Sequence, residues 1–361
     1  MLKFTIIGAG NGGQSMAAHL TLLGQEVVLY DIQAELINKI KDLGGIRAEG
    51  VFEGFASVHA TTDLELAMRE PEVIMVTTTG TAHKHVARSI SPFLKDGQVI
   101  MIFPGYWGAL EFRNIFSELG MNKDVYVAET ESLIYTCRYI EPGHVRVRKV
   151  KESLEFATLP ASDAELVKEK LKDVYPQLVP TDSVLTTTLN NVNPIFHVPI
   201  LLLNTGRIES EGDFYFYPEG ATPGVVNLME ELERERLEIG KSLSINLSTC
   251  LELLNRFYDV EEATLYEGIQ KNPAYQTGKA PTTLNYRYIY EDIPYGLYPI
   301  VKLGEKLGVK TPTANLLIDL ASLIRKENLR ANGLELSDLG LADKTPEEIV
   351  EYLKVGNRAY Q

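Results

Sequence analysis

The sequence predicts a doubly wound α/β domain of the Rossmann type, followed by an all-α domain. Short apolar runs alternate with helical patterns over the first half of the chain, and a glycine-rich turn follows the first run. After about residue 185, apolar residues recur mainly at helical spacing. Strands that alternate with helices form parallel sheets whose two faces the helices cover. We therefore expect one domain at residues 1–185 and a second at residues 186–361.

Short apolar runs bounded by polar or glycine residues indicate the strands of the first domain. These predicted strands are Lys3–Ile7, Glu26–Tyr30, Val73–Thr77, Val99–Phe103, Val125–Ala128, Ser153–Thr158 and Gln177–Val179. The predicted helices of the same domain are Gln14–Leu23, Glu35–Leu43, His83–Leu94 and Asp163–Val174. In the second domain, helical spacing of apolar residues predicts helices at Val198–Ile208, Val226–Leu237, Ser242–Phe257 and Thr313–Arg325.

Composition excludes several classes of protein. The 361 residues carry a formal net charge of −14, which is poorly suited to binding nucleic acid or anionic lipid. Cys137 and Cys250 have no partner at disulfide or metal-ligand spacing. The apolar run Val198–Leu203 is far shorter than the roughly 20 residues of a membrane span, and Met1–Ile7 is too short for a signal-peptide core. We expect a cytoplasmic protein with no metal, membrane or nucleic-acid partner.

A glycine-rich loop follows the first strand and matches G-x-G-x-x-G. Its residues are Gly8, Ala9, Gly10, Asn11, Gly12 and Gly13. In such loops the first glycine allows a tight turn, the second lets the backbone approach a diphosphate, and the third lets the helix pack against the strand. A glycine-rich turn alone is often only structural, but here a strand precedes it, a helix follows it, and Asp31 ends the next strand. This context predicts dinucleotide binding at the helix N-terminus.

Asp31 favours NAD over NADP as the cofactor. Its carboxylate would accept hydrogen bonds from the adenosine ribose and repel the additional phosphate of NADP. Ile32 and Gln33, which follow it, supply no arginine to attract that phosphate. The alternative is that Asp31 only caps a helix. Thr78, Thr79 and His83 are further candidates for cofactor binding.

Three polar residues share one face of an otherwise apolar helix. Asn193 lies four residues before His197, and Asn204 lies seven residues after it. Polar groups among aliphatic residues need partners, which are one another, water or a ligand. By position alone, a hydrogen-bonded core histidine is the more common case. A metal site is less favoured, because no second histidine or cysteine stands at ligand spacing.

A second polar cluster contains Arg287, Glu291 and Asp292. It follows a polar loop, residues 270–285, that could act as a flap. One interpretation is an ordinary surface ion pair among these three side chains. In the other, Asp292 reaches His197 and orients the imidazole, an arrangement that suits acid–base catalysis.

The chain resembles the octopine/nopaline (opine) dehydrogenase family over nearly its whole length. The resemblance rests on segments that occur in order along the chain. They are GAGNGG at 8–13, FPGYWGALEF at 103–112, AETESLIYTCR at 128–138, NNVNPIFHVPILLLNTGRIE at 190–209, FYPEGATPGV at 216–225, RYIYEDIPYGL at 287–297 and NGLELSDLGL at 332–341. One departure is Ile134, where the family pattern has proline, and it concerns only local loop shape.

The resemblance implies NAD(P)H-dependent reductive condensation of an α-keto acid with the amino group of an amino acid. It also implies that His197 and Asp292 are a catalytic pair, that Asn193 is an active-site asparagine, and that Arg287 holds a substrate carboxylate. Glu129 is expected to face the amino substrate. Asn204 is a further substrate-binding candidate, and we expect a homodimer.

Two alternatives come from different classes of protein. One is a keto acid or hydroxy acid reductase, or a glycerol phosphate dehydrogenase, with the same two-domain architecture. Such enzymes use a catalytic lysine in the helical domain, whereas no lysine occurs between Leu185 and Lys241. The other is an NADH-sensing protein that keeps the fold without catalysis, because a fold alone does not define an activity.

Overall fold

The computed structural model describes residues 1–259 and 261–356, which form two compact units. The first unit comprises residues 1–187 and the described residues from Tyr352 onward, and the second comprises residues 188–351. The expected boundary at residue 185 lies two residues from this division. We did not expect Tyr352 to belong to the first unit. The residue lies in a short amphipathic helix, and the sequence of such a helix does not show which of two hydrophobic cores it packs against.

The strands lie in the first unit. They are β1 Lys3–Ile7, β2 Glu26–Tyr30, β3 Ile46–Gly50, β4 Gly54–Ala56, β5 His59–Thr61, β6 Val73–Val76, β7 Val99–Ile102, β8 Tyr126–Thr130, β9 Tyr135–Glu141, β10 His144–Val150, β11 Leu154–Leu159 and β12 Leu178–Pro180. Eight of them form one sheet in the order β12-β11-β8-β7-β6-β1-β2-β5. The strands from β8 to β5 in this order pair in parallel. All residues of β6 and β7 are buried, as expected of a sheet covered on both faces.

Two features of the strands differ from the sequence-based expectation. The strand β11 pairs antiparallel with β8, so the sheet is mixed at that edge. A second sheet, in the order β4-β3-β10-β9, was missed. In β10, buried Val145 and Val147 alternate with exposed Arg146 and Arg148, which is the period of a half-buried strand. A search for continuous apolar runs overlooks this alternation.

The helices that begin in the first unit are α1 Asn11–Leu22, α2 Ala34–Leu43, α3 Leu64–Ala67, α4 His83–Ile90, α5 Gly108–Glu118, α6 Ala164–Leu171 and α7 Val184–Leu189. The helix α1 begins three residues earlier than predicted, because Gly12 and Gly13 form its first turn. The helix α4 ends at Ile90, before a 3₁₀ turn at Ser91–Phe93 that contains Pro92. The helices α3, α5 and α7 were not predicted, but the α/β alternation of the fold is confirmed.

The second unit is helical, as predicted. Its helices are α8 Asn193–Leu203, α9 Thr205–Glu209, α10 Phe216–Gly220, α11 Pro223–Ser242, α12 Cys250–Tyr258, α13 Leu265–Lys271, α14 Arg287–Tyr290, α15 Tyr298–Leu307 and α16 Pro312–Arg325. The helix α17 Pro346–Val355 begins in the second unit and ends in the first. A π-helical turn at Asp292–Leu297 connects α14 to α15. The helix α8 lies at the centre and packs against α11, α14, α16 and this π-helical turn. Within the described ranges, no helix is both long enough and apolar enough to cross a bilayer.

Candidate active site

The glycine-rich loop connects β1 to α1 with a backbone that requires glycine at two positions. Gly8 has a φ of +103°, and a Cβ added at Gly13 would lie 1.7 Å from the Gly8 carbonyl oxygen. Gly10 is the N-cap residue of α1, and a Cβ there would meet no described atom within 4 Å. The loop therefore presents open space at the N-terminus of α1, where backbone N–H groups bind phosphate.

Asp31 lies directly after β2 and contacts this loop. Its Oδ2 accepts a hydrogen bond of 2.6 Å from the Ala9 N–H, and its Oδ1 accepts one of 2.9 Å from the Gln33 N–H. Gln33, rather than Asp31, is the N-cap residue of α2, and no side chain caps that helix. The carboxylate is thus held beside the glycine loop and stays partly exposed.

Three threonines, at 77–79, follow β6 near the same loop, and the last two are the candidates for cofactor binding. The buried Thr78 hydroxyl has no hydrogen-bond partner among the described residues, and its Cγ2 would lie 3.1 Å from a Cβ at Gly8. Thr79 is exposed, and its hydroxyl is 2.8 Å from that of Thr81. A buried hydroxyl without a partner needs one to offset its desolvation. Together with the open space at Gly10, it fits the polar groups of a bound dinucleotide.

Replacing Asp31 with alanine is expected to reduce discrimination between NADH and NADPH. The substitution removes the negative charge that repels the additional phosphate, so the ratio of the two dissociation constants should shift toward NADPH by about tenfold or more. Fluorescence titration with each cofactor measures this ratio, and Asp63→Ala, at a helix cap beyond β5, is the control. An unchanged ratio would mean that Asp31 is only a structural residue.

His83 was expected to bind cofactor, and the structure places its ring in the core. The ring is completely buried, and both ring nitrogens lack hydrogen-bond partners among the described residues. The ring packs against Phe112, and a Cβ added at Gly108 would lie 2.9 Å from Nδ1 of His83. The ring belongs to the core between α4 and α5, because the first turn of α4 directs it inward.

Burial makes His83 a source of acid sensitivity. It lowers the pKa of His83 from 6.5 to about 4. Between these values the unfolded chain binds a proton that the native state does not, so stability decreases as the pH falls from 6.5 toward 4. Between pH 7 and pH 4.5, the free energy of unfolding of the wild type should decrease by about 2–3 kcal/mol more than that of His83→Leu. Urea denaturation at the two pH values measures these free energies, and His85→Leu, at an exposed position, is the control. Equal decreases in His83→Leu and His85→Leu would contradict the prediction.

Glu129 is buried within the first unit, and its expected contact with the amino substrate stays a prediction. The residue lies on β8 and is completely buried. Its Oε2 accepts a hydrogen bond of 2.9 Å from the Ala109 N–H in the first turn of α5, and its Oε1 accepts one of 2.8 Å from the Thr187 hydroxyl. A carboxylate at a helix N-terminus is stabilised by the helix dipole. Glu129 therefore fixes α5 within the first unit.

The second unit brings His197 and Asp292 together, although 95 residues separate them. The Nδ1 of His197 lies 2.7 Å from Oδ2 of Asp292, and both side chains are almost fully buried. Because a carboxylate only accepts, Nδ1 carries the hydrogen of this bond. The bond orients the imidazole and stabilises its protonated form, as acid–base catalysis requires.

Local sequence explains how Asp292 reaches α8. The residue opens the π-helical turn, which lies against the first turn of α8. A Cβ at Gly296 would lie 2.4 Å from Cγ of Pro194, so glycine permits this close approach. The turn thereby directs the Asp292 carboxylate at the ring of His197.

Two tyrosines complete the surroundings of His197, and neither was among the predicted site residues. The Tyr217 hydroxyl lies 2.9 Å from Nε2 of His197. The ring of Tyr288 stacks on the imidazole with 3.9 Å between centroids. Both tyrosines lie within segments that carry the family resemblance, which was the available sequence signal.

The remaining predicted site residues have different environments. The half-exposed Arg287 forms an ion pair of 2.8 Å with buried Glu291, and Asp292 pairs with His197. Asn193 begins α8 and is partly exposed, and its side chain makes no hydrogen bond within the described ranges. Its amide is therefore available to a substrate oxygen.

Asn204 forms hydrogen bonds with the backbone at the end of α8. Its Nδ2 donates to the carbonyl oxygens of Ile200 at 2.8 Å and Gly220 at 3.1 Å. The residue is buried at the junction of α8 and α9. A spacing of seven residues places a side chain on the same helix face but about 10 Å along the axis. A role of Asn204 in substrate binding stays a prediction.

The fold and these residues define a two-domain, dinucleotide-dependent oxidoreductase with a buried His–Asp pair. Residues 3–105 match the family model of the NAD-dependent glycerol-3-phosphate dehydrogenase N-terminus. Residues 180–325 match that of the NAD/NADP octopine/nopaline dehydrogenase alpha-helical domain. The chain is 39% identical to the opine dehydrogenase of Arthrobacter sp. (strain 1C), with 95% of this chain and 96% of that protein covered. It is 26% identical to the vitopine synthase of Allorhizobium ampelinum, with 98% and 99% covered.

Solved structures show the same fold. Octopine dehydrogenase in complex with NADH and agmatine matches with a TM-score of 0.79 at 18% identity, covering 97% of this chain and 98% of that one. A ketopantoate reductase from Ralstonia eutropha matches with a TM-score of 0.65 at 18% identity, covering 90% and 99%.

The chain belongs to the opine dehydrogenase family. It is an NAD(P)-dependent oxidoreductase that acts on CH–NH bonds, uses NAD(H), and catalyses reductive condensation of an α-keto acid with an amino group.

Proposed function

We propose that this enzyme condenses pyruvate or a similar α-keto acid with an amino acid, using His197 and Asp292 as its acid–base pair. The observation that carries the assignment is the buried bond of 2.7 Å between these side chains. Related chemistry supports the substrate class, because solved structures of octopine dehydrogenase contain NADH with L-arginine or with pyruvate. We further propose a preference for NAD over NADP, supported by the partly exposed Asp31 carboxylate beside the glycine loop. A homodimer and a cytoplasmic location stay predictions.

The proposed mechanism assigns proton transfer to His197. As the amine attacks the keto carbon, His197 takes up the proton that the nitrogen releases, and Asp292 stabilises the resulting imidazolium. The same proton returns to the alkoxide of the addition product and forms a hydroxyl. His197 then transfers the remaining proton of the nitrogen to this hydroxyl, which leaves as water and yields an imine. When bound, the reduced nicotinamide would supply the hydride, and solvent the proton, that convert this imine to a secondary amine. The glycine loop, Asp31 and Thr78 would hold that cofactor.

Substrate carboxylates require cationic and polar partners. The planar guanidinium of Arg287 can bind one carboxylate in bidentate geometry. Glu291, 2.8 Å away and buried, restricts the position of this guanidinium. The amide of Asn193, which lies one helical turn before His197, would hold a substrate oxygen.

The function is tested by the substrate requirement for NADH oxidation. Purified enzyme is incubated with NADH and pyruvate, with NADH and a mixture of amino acids, and with all three. We expect oxidation only when both substrates are present. Oxidation with the keto acid alone would instead support a simple reductase, and no oxidation under any condition would support an NADH-sensing protein.

Replacing Arg287 with alanine is expected to raise KM for one carboxylate substrate. A charged hydrogen bond contributes about 1.5–3 kcal/mol, which corresponds to an increase of roughly 10- to 150-fold. Steady-state kinetics with each substrate varied in turn measures the change. Arg207→Ala is a matched control, because Arg207 is similarly exposed and forms an ion pair with Glu219. If neither KM changes, Arg287 does not bind substrate.

A further inference from the structure

The imidazole of His197 has no open polar atom in this structure. Its Nδ1 faces Asp292, its Nε2 lies 2.9 Å from the Tyr217 hydroxyl, and the ring of Tyr288 covers one face. The His197 side chain is only 5% exposed, whereas Tyr217 is partly exposed. While this arrangement holds, a proton on Nε2 can reach a substrate only through the Tyr217 hydroxyl.

Tyr217 is held in place by its neighbours. Its ring stacks on Tyr275 with 4.0 Å between centroids and 12° between planes. The segment that precedes it is bonded to the polar loop at 270–285, because the Phe216 N–H donates to the Gly278 carbonyl oxygen at 2.7 Å and the Ala280 N–H donates to that of Phe214 at 2.9 Å. Rotation of Tyr217 away from His197 would break both the stack and the hydrogen bond. These contacts indicate that Tyr217 stays beside His197 and is not displaced.

The donors and acceptors in the hydrogen-bonded series Tyr217–His197–Asp292 are mutually consistent. Burial raises the pKa of Tyr217 well above 10, so the hydroxyl stays protonated near neutral pH. When the imidazole is neutral, the hydroxyl donates to Nε2 and the Nδ1–H donates to Asp292. In this state Nε2 can accept one further proton when the hydroxyl receives one from outside.

We propose that Tyr217 is a catalytic residue that exchanges protons directly with the substrate, with His197 and Asp292 behind it. This inference rests on the proposed function. When the amine nitrogen bonds to the keto carbon, the carbonyl π electrons move to oxygen. The proton that the nitrogen releases binds the Tyr217 oxygen, and the proton of the hydroxyl moves to Nε2.

The alkoxide of the addition product first takes the Tyr217 proton and becomes a hydroxyl, and Nε2 returns its proton to the tyrosine oxygen. For the loss of water, Tyr217 donates its proton to that hydroxyl, the carbon–oxygen bond breaks with its electron pair on oxygen, and water leaves as the C=N bond forms. The remaining proton of the nitrogen then passes to the tyrosine oxygen. Tyrosine and imidazole end neutral, so condensation releases one water and consumes no proton.

The test compares Tyr217→Phe with Tyr215→Phe. Phenylalanine at 217 keeps the stack on Tyr275 and removes only the hydroxyl, while Tyr215 is an exposed tyrosine two residues earlier. We expect Tyr217→Phe to lower kcat about 100-fold, at the lower end of acid–base effects, with NADH affinity and thermal stability unchanged. NADH deuterated at the transferred position should slow Tyr217→Phe no more than it slows wild type, because condensation has become slower. Tyr215→Phe should behave as wild type.

Three results would overturn the proposal. Unchanged kcat in Tyr217→Phe would show that the hydroxyl transfers no proton, and increased kcat or lowered substrate KM would show that it obstructs the site. A lower kcat with a larger deuterium effect would place the hydroxyl in hydride transfer. If His197→Ala is impaired while Tyr217→Phe is normal, only this inference fails; if His197→Ala is normal, the proposed function itself fails.

Discussion

Replacing His197 with alanine is expected to lower kcat about 10²- to 10⁴-fold, the usual contribution of a positioned acid–base group. The variant lacks the group that takes up a proton during addition and returns it during loss of water. The dissociation constant of NADH should stay unchanged, because the residues assigned to cofactor binding belong to the other compact unit. Steady-state kinetics with both substrates and fluorescence titration of NADH measure the two quantities.

A change in folding must be separated from a change in chemistry. Alanine removes the hydrogen bond between the imidazole and the buried Asp292 carboxylate, and breaking a buried ion pair is strongly destabilising. His197→Gln is therefore measured in parallel, since its amide can still donate to Asp292 without serving as a base. Thermal denaturation identifies the variants that remain folded. Turnover near wild type in a folded variant would remove His197 from the mechanism.

The second large effect is expected at the glycine loop. Gly13→Ala would bring a methyl group 1.7 Å from the Gly8 carbonyl oxygen, so β1 and α1 must move apart. Overpacking of this kind typically costs about 1–3 kcal/mol or more. We expect lower thermal stability and at least about tenfold weaker NADH binding, because the N–H groups of the loop no longer converge.

Gly10→Ala is the matched variant in the same loop. A Cβ at this position meets no described atom within 4 Å, so the fold should retain its stability. The methyl group would occupy the space that the diphosphate needs, and NADH affinity should still decrease. Gly10→Ala binding NADH as wild type does would contradict the placement of the cofactor. Gly13→Ala with wild-type stability would contradict the close approach of the helix to the strand.

Three residues that the sequence offers as site candidates lie within the packing of their own units. His83, Glu129 and Asn204 are polar residues next to predicted functional segments, and the structure turns each toward partners or packing within its own unit. A position in a motif places the backbone but does not determine the direction in which a side chain points. That direction depends on the packing of neighbouring helices, such as α4 against α5 around His83.

The sequence alone determined the features that local chain geometry controls. The glycine loop, the acid after the second strand, the alternation of strands and helices, and the shared helix face of Asn193 and His197 all follow from short-range spacing. Family membership also followed, because it rests on an ordered series of local segments. Only the tertiary structure decided the pairing of His197 with Asp292 and the position of the Tyr217 hydroxyl. Such contacts join segments distant along the chain, and they form only when apolar burial packs their helices together.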